Sequence, residues 1–197
     1  MSKGEQTREH ILQRAAEVFS ERGFFGTSMN DLVRATGLEK GGIYNHFRSK
    51  EQLALEAFDY SYWLVSHRIK TAVQAADLPI ERLRAFVAAF ASQVEQPLLP
   101  GGCPVLNTAV EADDAHPALR ERVYGVVQEW TGLLAEMVRD GQAQGALRRD
   151  VEPETVATVV VAALEGGIML AKLMQQREVM RRVVAHLSDY LEQLRTR

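Results

Sequence analysis

Apolar residues along this chain recur at spacings of three and four almost throughout, and sustained alternation of apolar and polar positions, the mark of a strand, is nearly absent. Ile11, Ala15 and Phe19 place one stripe on a helix over about residues 5–22, which Gly23 is suited to end. Ser28-Met29-Asn30-Asp31 reads as a capping box, with Met29, Leu32 and Val33 facing inward along a short second helix that Gly37 interrupts. Ile43 and Phe47 make a third short helix over 39–47, with Phe47 expected in the core, and Ser49-Lys50-Glu51-Gln52 repeats the capping signal. One long helix then runs to about residue 75. Pro79 opens another, carrying Leu83, Phe86, Val87 and Phe90, and a Pro/Gly-rich loop over 96–104 follows it. A short helix over 105–112, a long one from Pro117 to near Gly145, one over 153–174 and a last one over 178–194 complete an all-α chain.

The helix over 153–174 is apolar almost all round, so it requires burial on more than one face. The last helix presents a stripe of Val179, Met180, Val183, Val184, Leu187, Tyr190, Leu191 and Leu194, wider than one neighbour would cover. A homodimer formed through these two C-terminal helices would bury the excess, with Gly166-Gly167 as a close helix contact at that interface. The longest helical run without a charge stops at Glu165, short of the roughly 20 apolar residues that a bilayer requires, so no membrane partner is expected.

Composition narrows the class only a little. The 197 residues are 46% hydrophobic and 25% charged, an ordinary globular balance that excludes disordered or fibrous chains. A single cysteine forms no internal disulfide and the polar N-terminus has no apolar signal core, which points to the cytoplasm. The net charge of −3 is unevenly spread: residues 1–50 hold 8 basic and 6 acidic side chains, and the remainder is net negative. The asymmetry is mild, so any contact with nucleic acid has to come from local placement.

Three short helices with a glycine-centred turn between the second and third form a helix-turn-helix pattern, whose second element enters the DNA major groove. The strings Phe24-Phe25-Gly26-Thr27-Ser28-Met29-Asn30-Asp31-Leu32, Ala35-Thr36-Gly37-Leu38 and Gly42-Ile43-Tyr44-Asn45-His46-Phe47-Arg48-Ser49-Lys50-Glu51-Gln52-Leu53 resemble the TetR family of transcriptional regulators. The resemblance implies a three-helix DNA-binding domain over 1–52 on a larger helical ligand-binding and dimerisation domain over 53–197, acting as a homodimeric repressor on a palindromic double-stranded DNA operator. Tyr44, His46 and Lys50 would meet phosphates, as would Thr27 and Ser28, while Lys40, Gly41, Gly42 and Asn45 would face bases, with Arg34 beside them. Gly42 departs from the small hydroxyl or alanine common in the family, which removes a side-chain base contact.

The family's habit of releasing DNA on binding a small molecule implies an inducer, of unknown identity, in the helical domain. Trp63, His67, Phe86, Phe90, Asn107, Trp130, Met137, Glu165 and Met169 put aromatic, soft or polar groups at inward helical positions and suggest a mainly apolar ligand. Cys103, in Gly101-Gly102-Cys103-Pro104 at a helix start, carries an alternative, a thiol-based sensor of oxidants or electrophiles. A further alternative is a helical ligand-binding or catalytic protein without specific DNA binding. No metal-ligand spacing, phosphate-binding glycine loop or nucleophile elbow is present, so no catalytic residue, metal or cofactor is expected. Glu111, Asp113 and Asp114 read as a solvated helix end.

Overall fold

The computed structural model describes residues 2–196, which form nine helices: α1 (Lys3–Arg22), α2 (Met29–Thr36), α3 (Lys40–Tyr44), α4 (Lys50–Gln74), α5 (Pro79–Glu95), α6 (Pro104–Ala112), α7 (Pro117–Ala143), α8 (Pro153–Leu173) and α9 (Arg177–Glu192). No strand occurs among the described residues, and the one β-bridge joins Leu147 to Arg195. The all-α reading therefore holds. The chain divides into two compact units, one made of Met1–Leu64 with Leu99–Tyr124 and the other of Val65–Leu98 with Gly125–Arg197.

In the first unit, α1 starts two residues earlier than its apolar stripe indicates because Ser2 and Glu5 form a reciprocal capping box. Gly23 ends the helix with φ 73° but an extended ψ of 174°, not the left-handed cap expected, and its N–H returns to the Phe19 carbonyl. Ser28 and Asp31 make the second capping box as expected, and Gly37 closes α2 in the left-handed conformation. Helix α3 is only five residues long, shorter than the Ile43–Phe47 spacing suggests, since the chain turns at Asn45 and His46. Ser49 then accepts from the Gln52 N–H at the start of α4, with Gln52 returning a bond from the Arg48 N–H. Ile11, Ala15 and Ala16 of α1 close over Leu32, Ile43, Phe47, Leu53 and Ala57 in one apolar cluster, and Leu99 packs against it.

The loop before α6 is docked in that same unit. Gly101, at φ 94°, lies so close to α1 that a Cβ would stand 1.9 Å from the Ser20 carbonyl oxygen, which only glycine permits. Ser20 donates its hydroxyl to the Pro100 carbonyl at 2.5 Å, and the Asn107 amide donates to the Gly101 carbonyl at 2.8 Å.

In the second unit α5, α8 and α9 pack on one another around Leu83, Phe86, Phe90, Leu134, Met137, Val160, Leu164, Leu187 and Leu191. A Cβ on Gly167 would fall 2.8 Å from Met180 Sδ and 3.2 Å from Val183, so this glycine sets the approach of α9 to α8 within one chain and not across a dimer interface. The outer face of α8 leaves Val159, Met169, Leu170, Leu173 and Met174 exposed. Helix α8 is long and apolar enough, by length and composition, to cross a membrane, contrary to the expectation from its charge-free run; its other face is packed inside the unit.

Asp31 supplies a pH dependence. The Ser28 hydroxyl and backbone N–H, assisted by Arg22 and Arg34, hold its carboxyl at about 2 instead of 3.8. A carboxylate depressed in the folded state stabilises it above the unfolded value and ceases to do so as pH falls through the folded one. The unfolding midpoint of the native chain should exceed that of Asp31→Asn at pH 5 to 7, and denaturant titrations should find the difference closing between about pH 4 and 2.

Candidate nucleic-acid interface

Two short helices can present side chains to a duplex only if a rigid frame holds them. Helix α1 provides it by taking the unsatisfied carbonyls at the end of α2: the Arg14 Nε–H donates to the Ala35 carbonyl at 3.2 Å, and a His10 ring nitrogen lies 3.0 Å from the Thr36 carbonyl. At the other end Asp31 binds both Arg22 and Arg34, which leaves the Arg34 guanidinium largely in solvent. Arg8 stands 4.5 Å over the Phe47 ring and pairs with Glu56 of α4.

On this frame, Lys40, Gly41, Tyr44 and Asn45 are exposed along α3 and its end, with Gly42 and His46 half-buried beside them. Tyr44 is 40% exposed, and the Lys40 ammonium lies 5.8 Å from its ring centroid. Ile43 and Phe47, on the inner side, are buried. A Cβ on Gly41 would meet nothing within 4 Å, and one on Gly42 only Leu38 at 3.7 Å, so the front of α3 is bare backbone facing open space. Ser28 is exposed, whereas Thr27 is buried and donates its hydroxyl to the Gly23 carbonyl at 2.6 Å.

Lys50 has partners inside the protein. Its ammonium donates to the Phe24 carbonyl at 2.5 Å and stands 4.3 Å over the Phe24 ring. Burial pushes it below the usual lysine range, against the opposing pull of Glu111 and Asp31. Glu111 is the correction to the reading of a solvated helix end: only Asp113 and Asp114 are exposed, and the Glu111 carboxylate accepts from the backbone N–H of Phe24 at 2.8 Å and of Phe25 at 2.7 Å. His116, just before α7, is buried, accepts from the Leu119 N–H through Nδ1, and packs edge-on against Phe24 at 4.7 Å. No local pattern announces Glu111 or His116, because their partners lie some 90 residues away in sequence.

The residues expected to line a ligand cavity separate. Phe86, Phe90, Trp130 and Met137 are buried together in the second unit, Phe86 stacked on Phe90 at 6.0 Å and Phe90 edge-on to Trp130 at 5.0 Å, with Glu165 half-buried in the same unit. Trp63, 57% exposed, stacks on Tyr60, and His67 and Met169 also face outward. Asn107 lines a cavity of about 30 Å³, room for one water, with Phe19, Phe24, Phe58, Ser61 and Glu111 in the first unit. Cys103 precedes the first turn of α6 as expected, but it is buried. No cluster of metal-ligating side chains occurs among the described residues.

A helix-turn-helix with its second helix exposed, framed by α1 and carried on a helical body, defines a DNA-binding transcriptional regulator. Residues 11–57 match the family described as "Bacterial regulatory proteins, tetR family", and residues 79–187 match "Tetracyclin repressor-like, C-terminal domain". The crystal structure of a TetR transcriptional regulator from Chloroflexus aurantiacus J-10-FL is 42% identical, with a TM-score of 0.95 over 99% of this chain and 98% of that one. The HTH-type transcriptional regulator LmrA of Bacillus subtilis (strain 168) is 31% identical over 87% of this chain and 88% of its own length. The HTH-type transcriptional repressor DhaR of Mycobacterium sp. (strain GP1) is 27% identical over 87% and 85%. The chain belongs to the TetR family of bacterial transcriptional regulators, which bind DNA and are not enzymes.

Lys40 and Asn45 touch no buried core, so Lys40→Ala and Asn45→Ala should leave stability within about 0.5 kcal/mol of the native chain in denaturant titrations. A larger loss would mean that these side chains hold the fold and are not reserved for a ligand.

Proposed function

We propose that the chain is a homodimeric repressor that binds a palindromic operator and is released by a small, mainly apolar ligand. Residues 1–52 supply DNA recognition and residues 53–197 supply ligand binding and dimerisation. The observation that carries the DNA reading is the exposed row of Lys40, Gly41, Tyr44 and Asn45 on a helix whose opposite face is locked into the core. Tyr44, His46 and Ser28 position the phosphate backbone, and Lys40 and Asn45 read base edges, with Arg34 beside them. Lys50 keeps one ammonium donor on the Phe24 carbonyl and offers the others to a phosphate. The apolar preference of the inducer rests on the buried aromatic group of Phe86, Phe90 and Trp130 in the second unit. Such a regulator acts where the chromosome is, in the cytoplasm.

Selection from a randomised duplex pool at near-physiological salt tests this reading. An inverted repeat with half-sites about one helical turn apart, or a multiple of it, is expected, and a folded protein that enriches no sequence would refute specific readout. Tyr44→Ala should weaken binding to the selected and to unrelated duplexes alike, because a phosphate contact carries no sequence information.

Helices α8 and α9 form the proposed dimer interface, supported by the exposed apolar row of Val159, Met169, Leu170 and Leu173 on α8 and Met174 at its end. Leu187 is buried within the single chain and is no probe of that interface. Leu173, 76% exposed, is one: Leu173→Glu should yield a folded monomer by light scattering, and a persistent dimer would place the interface elsewhere.

A further inference from the structure

Three segments of the first unit converge on the dipeptide Phe24-Phe25, between α1 and the Ser28 cap of α2. From α6, the Glu111 carboxylate takes both backbone N–H groups, one on each oxygen. From α4, the Lys50 ammonium takes the Phe24 carbonyl and lies over its ring. From the residue preceding α7, the His116 ring packs against both aromatic rings. Gly23 completes the arrangement by absence: a Cβ there would lie 2.5 Å from the Glu111 carboxylate, so the glycine leaves the space that the carboxylate enters. Two residues further on, Thr27 bonds back to the Gly23 carbonyl, and α2 begins.

We propose that Glu111 is a positioning residue for DNA recognition: through two charge-assisted hydrogen bonds to Phe24 and Phe25 it sets the turn from which α2, and with it α3, is hung. The proposal rests on the operator-binding reading above. Glu111 touches no DNA in this assignment; it acts through the backbone. Its two bonds are made to backbone groups that have no alternative partner in a helix, so their loss loosens the turn itself. The cavity of about 30 Å³ beside Glu111 gives the carboxylate a place to go and room for a water to replace it. The carboxylate and the Lys50 ammonium hold the same dipeptide, one through its two N–H groups and the other through the Phe24 carbonyl.

The sign of the effect separates this role from a plain charge effect. Removing a negative charge near a DNA-binding surface would strengthen binding by electrostatics. Removing a positioning contact weakens it. Glu111→Gln is the variant of choice, since it keeps the volume but presents an NH2 group to one of the two amide donors and leaves that donor unsatisfied.

The test compares the native chain, Glu111→Gln and Gly23→Ala, which places a methyl group where the carboxylate sits. Amide exchange should accelerate at Phe24 and Phe25 in both variants, by about tenfold or more, while the α5, α8 and α9 amides keep their protection. Affinity for the duplex selected by the native chain should fall about tenfold in Glu111→Gln, with an unchanged slope of log affinity against log salt, because no phosphate contact is removed. Unchanged or tighter binding by a folded Glu111→Gln chain would overturn the proposal while the operator reading stands. A steeper or shallower salt slope would also overturn it. If the native chain selects no duplex, the operator reading fails and this proposal with it.

Discussion

The apolar cluster that joins Ile11 and Ala15 of α1 to Leu32, Ile43, Phe47 and Leu53 is the interaction on which the DNA-facing part of the molecule depends. Helix α2 has eight residues and α3 five, below the length at which a helix persists alone in water. Neither has a shape of its own. Their geometry is that of the surface they cover, and a recognition helix so short keeps its orientation only while Ile43 and Phe47 remain seated. The capping boxes at Ser28 and the bonds from Arg14 and His10 to the end of α2 then settle where each helix begins and stops.

What could be read from the sequence follows from the range of the forces involved. Helix positions, the caps at Ser28 and Ser49, the prolines at the starts of α5, α7 and α8, and the burial of Phe47 are local or periodic, and the family strings stand in order on the first quarter of the chain; Pro104, assigned to the preceding loop, instead opens α6. Helix α3 is shorter than its spacing predicts because Ile43 and Phe47 keep helical spacing even where the backbone turns at Asn45. Contacts that depend on bringing distant segments together left no such mark. Glu111 on the turn, His116 beneath Phe24, Asn107 on the Ser20 carbonyl and Gly167 against Met180 are all of this kind. Exposure was equally illegible: Trp63 and Met169 occupy positions whose neighbours are apolar, yet both face outward.

The division of the chain into compact units cuts across the order of the sequence. The segment Leu99–Tyr124, which contains α6, shares its unit with the three N-terminal helices, anchored by Gly101 on α1, by Ser20 on Pro100 and by Glu111 on Phe24 and Phe25. Helix α6 therefore reaches the turn that precedes α2 directly, through the Glu111 carboxylate and with no intervening core. Packed interiors have little free volume, and a small cavity beside Glu111 leaves this segment some slack.

The bare front of α3 has a consequence for how such a protein changes its target. Gly41 projects into open space, and an added side chain there would meet no atom of the protein. Glycine is also the poorest ordinary helix former, about 1 kcal/mol worse than alanine. Replacement at this position would thus firm the helix and add a side chain to its exposed face in one step, with nothing in the core obliged to move. A lineage carrying this backbone holds a vacant place on the exposed face of α3, one that a single codon change can fill without disturbing the packing beneath it.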